Sequence, residues 1–312
     1  MSVSAKPLSL IYNEKSGFHA ANKDEIYEPL MTNLTAYGYE IQAFEISAET
    51  DFSSFMDRII ARHLQAEEIG IVVAAGGDGT LNTVATKLIG TEIPMGIFPL
   101  GTFNYVARLL HIPLDLLKAA DVIATGQIRA VHVAQINDHI YLNNASLGLY
   151  PLFIQRRELY NRRFGRFALH AYTSALDVLI RDRKELKLEV EIDGKKYPVK
   201  TPLIFFGNNQ LQLAEMNLRI AKCAELGKVA GVVVAKSDKP TLFKILWQLI
   251  RGNLDHAPDV YSFSADKVQI HSKAKKLTLA LDGEIVEMQP PLHISVRKHA
   301  LKIMVPYDST SI

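Results

Sequence analysis

The sequence predicts an α/β domain built on a parallel sheet, followed by a domain of mostly antiparallel β structure. Three observations carry this. Over roughly the first 130 residues, short apolar runs alternate with segments of helix length. Beyond about Ala130, period-two alternation takes over and two Asp-Gly turns appear. A glycine cluster sits where one buried-type strand gives way to a helix, at Gly76-Gly77-Asp78-Gly79-Thr80.

In order, Leu8–Tyr12 is a short apolar run ending in the turn-like Asn13-Glu14-Lys15-Ser16-Gly17. Ala21–Gly38 reads as a helix, Tyr39–Ile46 as a strand, Ser53–Gln65 as a helix and Ile69–Ala75 as a strand. The glycine cluster opens a helix to Leu88; Met95–Pro99 is a further strand and Leu114–Ala124 a further helix. Strands separated by helices of this length form parallel sheets with covering helices. The second part reads as strands at Val131–Gln135, Leu186–Ile192, Tyr197–Phe206, Val229–Ala235, Tyr261–Ile270, Leu277–Leu281 and His293–Val296. Asp193-Gly194 and Asp282-Gly283 are hairpin signals, because both residues tolerate the positive φ of a tight turn. Helices are expected only at Arg166–Arg181 and Thr241–Ile250. The domains are therefore expected at 1–130 and 131–297, with 298–312, which holds the Leu301–Val305 run, left open as a return to the first domain.

The 312 residues are 48% apolar and 22% charged, a globular composition that excludes disordered and fibrous classes. A net charge of +2 conceals an asymmetry. Residues 1–130 carry 9 Lys/Arg against 15 Asp/Glu, whereas residues 131–312 carry 26 against 18. The second half is therefore expected to face something anionic, nucleic acid or a membrane surface. No recognition helix, RNA-binding aromatic motif or zinc finger is visible, so nucleic acid ranks last. One cysteine, Cys223, excludes an internal disulfide framework and points to a reducing cytoplasm. No signal peptide is expected, and the longest uncharged run, His139–Gln155, contains Asn, Gly and Pro. A membrane would be met at its surface.

The glycine cluster has two readings. Glycines let backbone approach a ligand, and a helix N-terminus adds positive potential, which together bind phosphate oxygens. The same residues also suit a tight strand-to-helix turn capped by Thr80. The cluster is neither a Walker A loop nor a Rossmann fingerprint. A second glycine turn, Pro99-Leu100-Gly101-Thr102-Phe103-Asn104, follows the next strand, and in a parallel sheet both turns would converge on one edge with Asn13–Gly17.

Gly-Gly-Asp-Gly-Thr with Asn82 beyond it, Pro-Leu-Gly-Thr-x-Asn with Ala107-Arg108, Asn144-x-Ser146-x-Gly148 and Asp282-Gly283-Glu284 occur in this order along nearly the whole chain. This resembles the diacylglycerol kinase catalytic-domain family, which includes bacterial lipid kinases and sphingosine kinases. The resemblance implies a Rossmann-like α/β nucleotide-binding domain, a C-terminal antiparallel β-sandwich, and an active site in the cleft between them. It implies ATP and Mg²⁺ as cofactors and a glycerolipid hydroxyl as acceptor. By the same resemblance Gly76, Gly77, Asp78, Gly79 and Thr80 hold the nucleotide phosphates, and Asn13, Ser16, Thr102 and Asn104 lie near the nucleotide. Asp282 is implied as general base and Glu284 as the residue that places it or the metal; without the resemblance Asp282 reads as a hairpin turn.

The chain departs from the family pattern at three points. Asn13-Glu14 replaces Asn-Pro, and Gln210-Leu211-Gln212-Leu213 replaces a glycine triplet after Asn208. Glu225-Leu226-Gly227 replaces an Asp-Asp-Gly that helps hold a structural Mg²⁺ in bacterial members, leaving that metal site open. The alternatives are a soluble NAD kinase-like enzyme and a lipid- or nucleotide-binding regulator without catalysis.

Arg156, Arg157, Arg162, Arg163 and Arg166, interleaved with Leu159, Tyr160, Phe164 and Phe167, could sit on anionic headgroups or form a solvated face. Phe243, Ile245, Leu246, Trp247, Leu249 and Ile250 read as core. The expected partners are thus a lipid substrate and an anionic membrane surface, with the protein peripheral on the cytoplasmic face; a homodimer stays open. The histidines show no zinc-ligand spacing, and His111, near Pro113, reads as structural.

Overall fold

The computed structural model describes residues 6–13, 27–47, 51–164, 177–178, 185–251, 253–254, 257 and 259–307. The chain divides into two compact units, Met1–His132 with Lys298–Ile312, and Val133–Arg297.

The first unit is α/β. Strands β1 (Lys6–Asn13), β2 (Tyr39–Ile46), β3 (Ile71–Gly76) and β4 (Met95–Pro99) form a parallel array in the order β2-β1-β3-β4. The end of the last strand, β16 (Leu292–Val305), joins beside β4, with Ile303 opposite Met95. β3 and β4 are buried at every position, as strands covered on both faces should be. Helices α1 (Glu28–Ala36), α2 (Phe52–Gln65), α3 (Asp78–Leu88), α4 (Tyr105–Leu109) and α5 (Leu116–Thr125) complete the unit. Asp51 and Asp115 cap α2 and α5 by accepting from Ser54 N–H and Lys118 N–H. His63 of α2 is fully buried against β1; its Nε2 shares a 3.0 Å bond with Ser9 Oγ, which also accepts from Arg62 Nη1 at 3.3 Å.

The second unit is a β-sandwich. One layer holds β8 (Leu186–Ile192), β9 (Lys195–Thr201), β13 (Lys267–Ser272) and the start of β16, all antiparallel. β5 (Gln127–Ile136) pairs with β16 and with β6 (His139–Tyr141). The other layer holds β12 (Val260–Ala265), β11 (Val229–Val234), β10 (Leu203–Gly207), β7 (Asn144–Gly148), β14 (Leu277–Leu281) and β15 (Glu284–Met288), in that order. Leu188, Val190, Val268, Ile270 and Ile294 from one layer and Leu147, Ile204, Phe206, Leu279 and Leu281 from the other share one apolar core.

Two expected strands are each a pair. Tyr197–Phe206 divides into β9 and β10, and Tyr261–Ile270 into β12 and β13, with the members of each pair in different layers. Pro202, at the first break, has no N–H to continue a ladder. Helix α6 (Leu149–Phe164) was not anticipated, because its first half lies in an uncharged stretch without helical contrast. Short helices α7 (Gln210–Glu215) and α8 (Ala221–Glu225) and longer α9 (Lys239–Ile250) follow. The expected helix Arg166–Arg181 lies almost wholly outside the described residues. The reading of 243–250 as core is corrected in part. Trp247 is 55% and Leu249 39% exposed, whereas Ile245 packs against the core as expected, together with Leu242, facing β11 and β12. Among the described residues no helix is long and apolar enough to cross a membrane.

Candidate functional site

In the first unit, parallel pairing sets Gly76 opposite Pro99, so the turns after β3 and β4 leave the sheet side by side at its carboxyl edge. Leu100 N–H donates to the Gly76 carbonyl at 3.0 Å, extending the pairing into the turns. The turns touch backbone to backbone. A Cβ on Gly101 would lie 2.6 Å from Gly77 Cα and 2.8 Å from Asn104 Oδ1, and a Cβ on Gly76 would lie 2.5 Å from Thr80 Oγ1. Gly77 N-caps α3, so the first N–H groups of that helix, at Asp78, Gly79 and Thr80, open onto this edge without intrahelical partners. The helix dipole adds positive potential there.

Two side chains fix the turns. The Asp78 carboxylate accepts from Tyr105 N–H and Val106 N–H, both at 3.3 Å, and so ties the first turn to the start of α4. Asn104 is only 6% exposed and left-handed, with φ 48°. It accepts from Gly101 N–H at 2.8 Å and donates to the Gly101 carbonyl at 2.8 Å, so its amide shapes the turn. Thr102 is exposed on the same turn. Asn13 ends β1 at the same carboxyl edge, since Tyr12 pairs with Ala75. Ser16 lies outside the described residues. Sequence reasoning missed an aromatic pair beside these loops. Phe103, 50% exposed, stacks on Tyr105 with centroids 5.7 Å apart, and the Arg108 guanidinium lies 5.6 Å from the Tyr105 ring. The available signal was an aromatic at the variable position of Gly-Thr-x-Asn.

In the second unit, Asp282 and Gly283 have φ of 47° and 91°, the left-handed pair of a tight hairpin between β14 and β15. The Asp282 carboxylate is engaged with backbone. It accepts from Leu142 N–H at 2.6 Å, Asn143 N–H at 2.8 Å and Asn144 N–H at 2.9 Å, while its own N–H donates to the Asn144 carbonyl at 2.9 Å. Behind that segment lies a cluster of amides that sequence reasoning missed. Asn144 donates to Gln212 Oε1 at 3.0 Å, Asn209 to Asn143 Oδ1 at 2.8 Å and Asn208 to the Leu142 carbonyl at 2.9 Å. The doubled Asn143-Asn144 and Asn208-Asn209 were the signal. Tyr141, fully buried, has its phenol pushed up by burial and then by the Asp282 charge.

The departure at 210–213 has a structural use. Asn209 caps α7 by accepting from Gln212 N–H, Gln212 anchors Asn144, and Gln210 donates to Glu225 Oε2 at 3.0 Å. Among the described residues no group of three His, Cys, Asp or Glu side chains is placed to hold a metal. The Glu284 carboxyl, two residues beyond Asp282, is pushed up from its ordinary value by the protein atoms around it, although the residue keeps an exposed surface. Of the expected basic stretch, Arg156 pairs with Asp177 at 3.4 Å and Leu159 is exposed. The side chains of Arg157, Tyr160, Arg162, Arg163 and Phe164, and residues Arg166 and Phe167 altogether, lie outside the described part.

The chain matches two family models, the diacylglycerol kinase catalytic domain over residues 7–136 and the YegS C-terminal NAD kinase beta sandwich-like domain over residues 156–305. A protein from Staphylococcus aureus strain bovine RF122 / ET3-1 named "Diacylglycerol kinase" is 30% identical over 309 residues, covering 97% of this chain and 93% of the relative. One from strain JH9, with the same name, matches to the same extent. In fold, the chain is similar to the crystal structure of a diacylglycerol kinase from Bacillus anthracis str. Sterne. That match has a TM-score of 0.71 and 20% identity, over 98% of this chain and 99% of the other. The order of the glycine turns, the α/β unit, the β-sandwich unit and these matches together show that the chain belongs to the diacylglycerol kinase family.

Proposed function

We propose that this protein transfers the γ-phosphoryl group of ATP to a hydroxyl of a diacylglycerol-class lipid. The observation that carries this reading is the pair of glycine turns packed backbone to backbone at the carboxyl edge of the parallel sheet and locked by Asp78 and Asn104. The loops suit a phosphate chain: the glycines let the two turns pack closely at the sheet edge, and α3 presents its first N–H groups there. Mg²⁺, which binds largely through substrate phosphates and water, would accompany the nucleotide and neutralise charge on the transferred group. Gly76, Gly77, Gly79 and Thr80 then hold phosphates, while Asp78 and Asn104 keep the two turns in register. Asn13 and Thr102 border the nucleotide from the same edge.

The acceptor hydroxyl needs a carboxylate to take its proton. We assign the pair Asp282 and Glu284 to divided work. Three N–H bonds orient the Asp282 carboxylate and engage both of its oxygens. Glu284, two residues beyond Asp282 on the exposed side of the hairpin and with its carboxyl pushed upward, is the group assigned to take the proton. This reverses the order of roles that the resemblance implies. Because the substrate is a membrane lipid, the protein would work as a peripheral protein on the cytoplasmic face.

The test is label transfer from γ-labelled ATP to extracted lipids, to pure diacylglycerol and to NAD, since the second family model carries an NAD kinase-like description. The reading expects label in a chloroform-soluble phospholipid made from diacylglycerol. Label in NAD alone, or in neither, would refute it.

A further inference from the structure

Helix α9 places an aromatic and cationic face on the surface of the second unit. It is capped by Asp238, whose carboxylate accepts from Thr241 N–H at 3.0 Å. Leu242 and Ile245 turn inward onto Val234 and Val260. At 100° per residue, Phe243, Lys244, Trp247 and Arg251 fall on the opposite side. Trp247 is 55% exposed, Lys244 is exposed, and Phe243 is half-buried beside them. The Arg251 guanidinium lies 4.6 Å from the Trp247 ring centroid. From Lys239 to Arg251 the sequence has three cations, Lys239, Lys244 and Arg251, and no Asp or Glu. Of the described acids beside it, Asp238 is in the cap and Asp259 pairs with Lys236 at 3.0 Å.

We propose that this outward side of α9 is a docking face for an anionic lipid surface, with Trp247 seated at headgroup level and Lys244 and Arg251 against lipid phosphates. A large aromatic ring flanked by cations is the composition that favours the interface between water and acyl chains. Charge selects the occupant. A second copy related by a two-fold axis would set these cations against themselves, with no carboxylate on the helix to answer them. Anionic headgroups supply the missing charge, and each cation near the surface strengthens binding about five-fold. The choice of membrane over other anionic surfaces rests on the lipid-kinase reading. The Arg156–Arg166 stretch singled out in the sequence is a different segment of the chain.

Trp247 is the one tryptophan of the chain, so its fluorescence reports on this face alone. The full-length protein, without ATP or acceptor, is titrated with vesicles of phosphatidylglycerol and phosphatidylcholine, and with phosphatidylcholine alone. The proposal expects a blue shift and quenching by brominated acyl chains with the anionic vesicles only. It expects binding about 25-fold weaker in the double variant Lys244→Gln, Arg251→Gln. The double variant should phosphorylate a detergent-dispersed short-chain acceptor at the parental rate. Unchanged Trp247 emission while the protein co-sediments with anionic vesicles would overturn the proposal, because another surface would then carry the contact. An emission shift that follows protein concentration without lipid would overturn it in favour of self-association. Because the binding assay contains no reaction, a chain that binds as expected but phosphorylates no lipid would sink the kinase reading and leave this face standing.

Discussion

Replacing Asp282 with Asn separates orientation from proton transfer. The carboxylate meets three backbone donors, Leu142, Asn143 and Asn144, at 2.6, 2.8 and 2.9 Å. An amide has one oxygen. If it keeps the two bonds that Oδ1 makes now, its NH₂ group faces Leu142 N–H, donor against donor. Leu142 is only 6% exposed, so that orphaned N–H costs about 1–3 kcal/mol. The two remaining bonds change from charged to neutral acceptors, a further loss of about 1 kcal/mol each. The sum is about 3–5 kcal/mol, which for a unit of this size lowers Tm by about 6–20 °C. Glu284→Gln, on an exposed hairpin position, should leave Tm unchanged and lower kcat by about 10²–10⁴, the usual contribution of a general base. The assays are thermal unfolding of the purified chain and diacylglycerol phosphorylation at saturating ATP across pH. The parent's kcat should fall on the acid side as the Glu284 carboxyl, shifted upward from its ordinary value, takes up its proton, and Glu284→Gln should lose that limb. An Asp282→Asn protein that unfolds at the parental temperature yet loses turnover by the same large factor would refute the division of roles and return the base to Asp282.

Gly101→Ala would drive a Cβ to 2.6 Å from Gly77 Cα, so the turns must separate; ATP affinity by calorimetry should fall at least ten-fold, and parental affinity would show the turns are not a joint site. Asp78→Ala releases the first N–H groups of α4, so it should lose activity and also a few degrees of Tm, about 1–2 kcal/mol for two long bonds; an unaltered Tm would mean those bonds are idle. His63 is held near a pKa of about 4, first by burial and then by Arg62, against 6.5 when unfolded. Its lowered pKa makes the unfolded chain bind the proton first as pH falls, so stability drains between pH 6.5 and 4 by about 2–3 kcal/mol. Chemical denaturation of parent and His63→Gln at pH 7 and 5 reads this as a difference, and equal losses in the two proteins would contradict it.

Much of the first unit is legible because parallel strands are buried on both faces and announce themselves as continuous apolar runs, as Ile71–Gly76 does. The convergence of Gly76–Thr80 with Gly101 follows from adjacent parallel strands. What hides is what side chains do to backbone. Nothing in Gly-Thr-x-Asn says that Asn104 turns inward to bracket Gly101, or that Asp78 spends its carboxylate on α4. In the second unit, alternation reveals strands but not which layer receives them. Tyr197–Phe206 keeps its apolar character across Pro202 while the chain changes layer, and β5 and β16 are each one continuous strand across a unit boundary. Trp247 was misread because an apolar cluster on a helix has the same composition whether it faces a core or a lipid surface; only the angle at which α9 lies on β11 and β12 decides.

The central claim is phosphoryl transfer to a lipid, as distinct from ATP hydrolysis or NAD phosphorylation. The most direct measurement incubates the chain with ATP, Mg²⁺ and one diacylglycerol of defined acyl composition, and follows ADP and lipid products together by mass spectrometry. The expected product is the matching phosphatidic acid, its mass raised by one phosphoryl group, appearing one to one with ADP and formed much more slowly by Gly101→Ala at sub-saturating ATP. ADP without phosphatidic acid, or phosphatidic acid formed equally by Gly101→Ala, would contradict it.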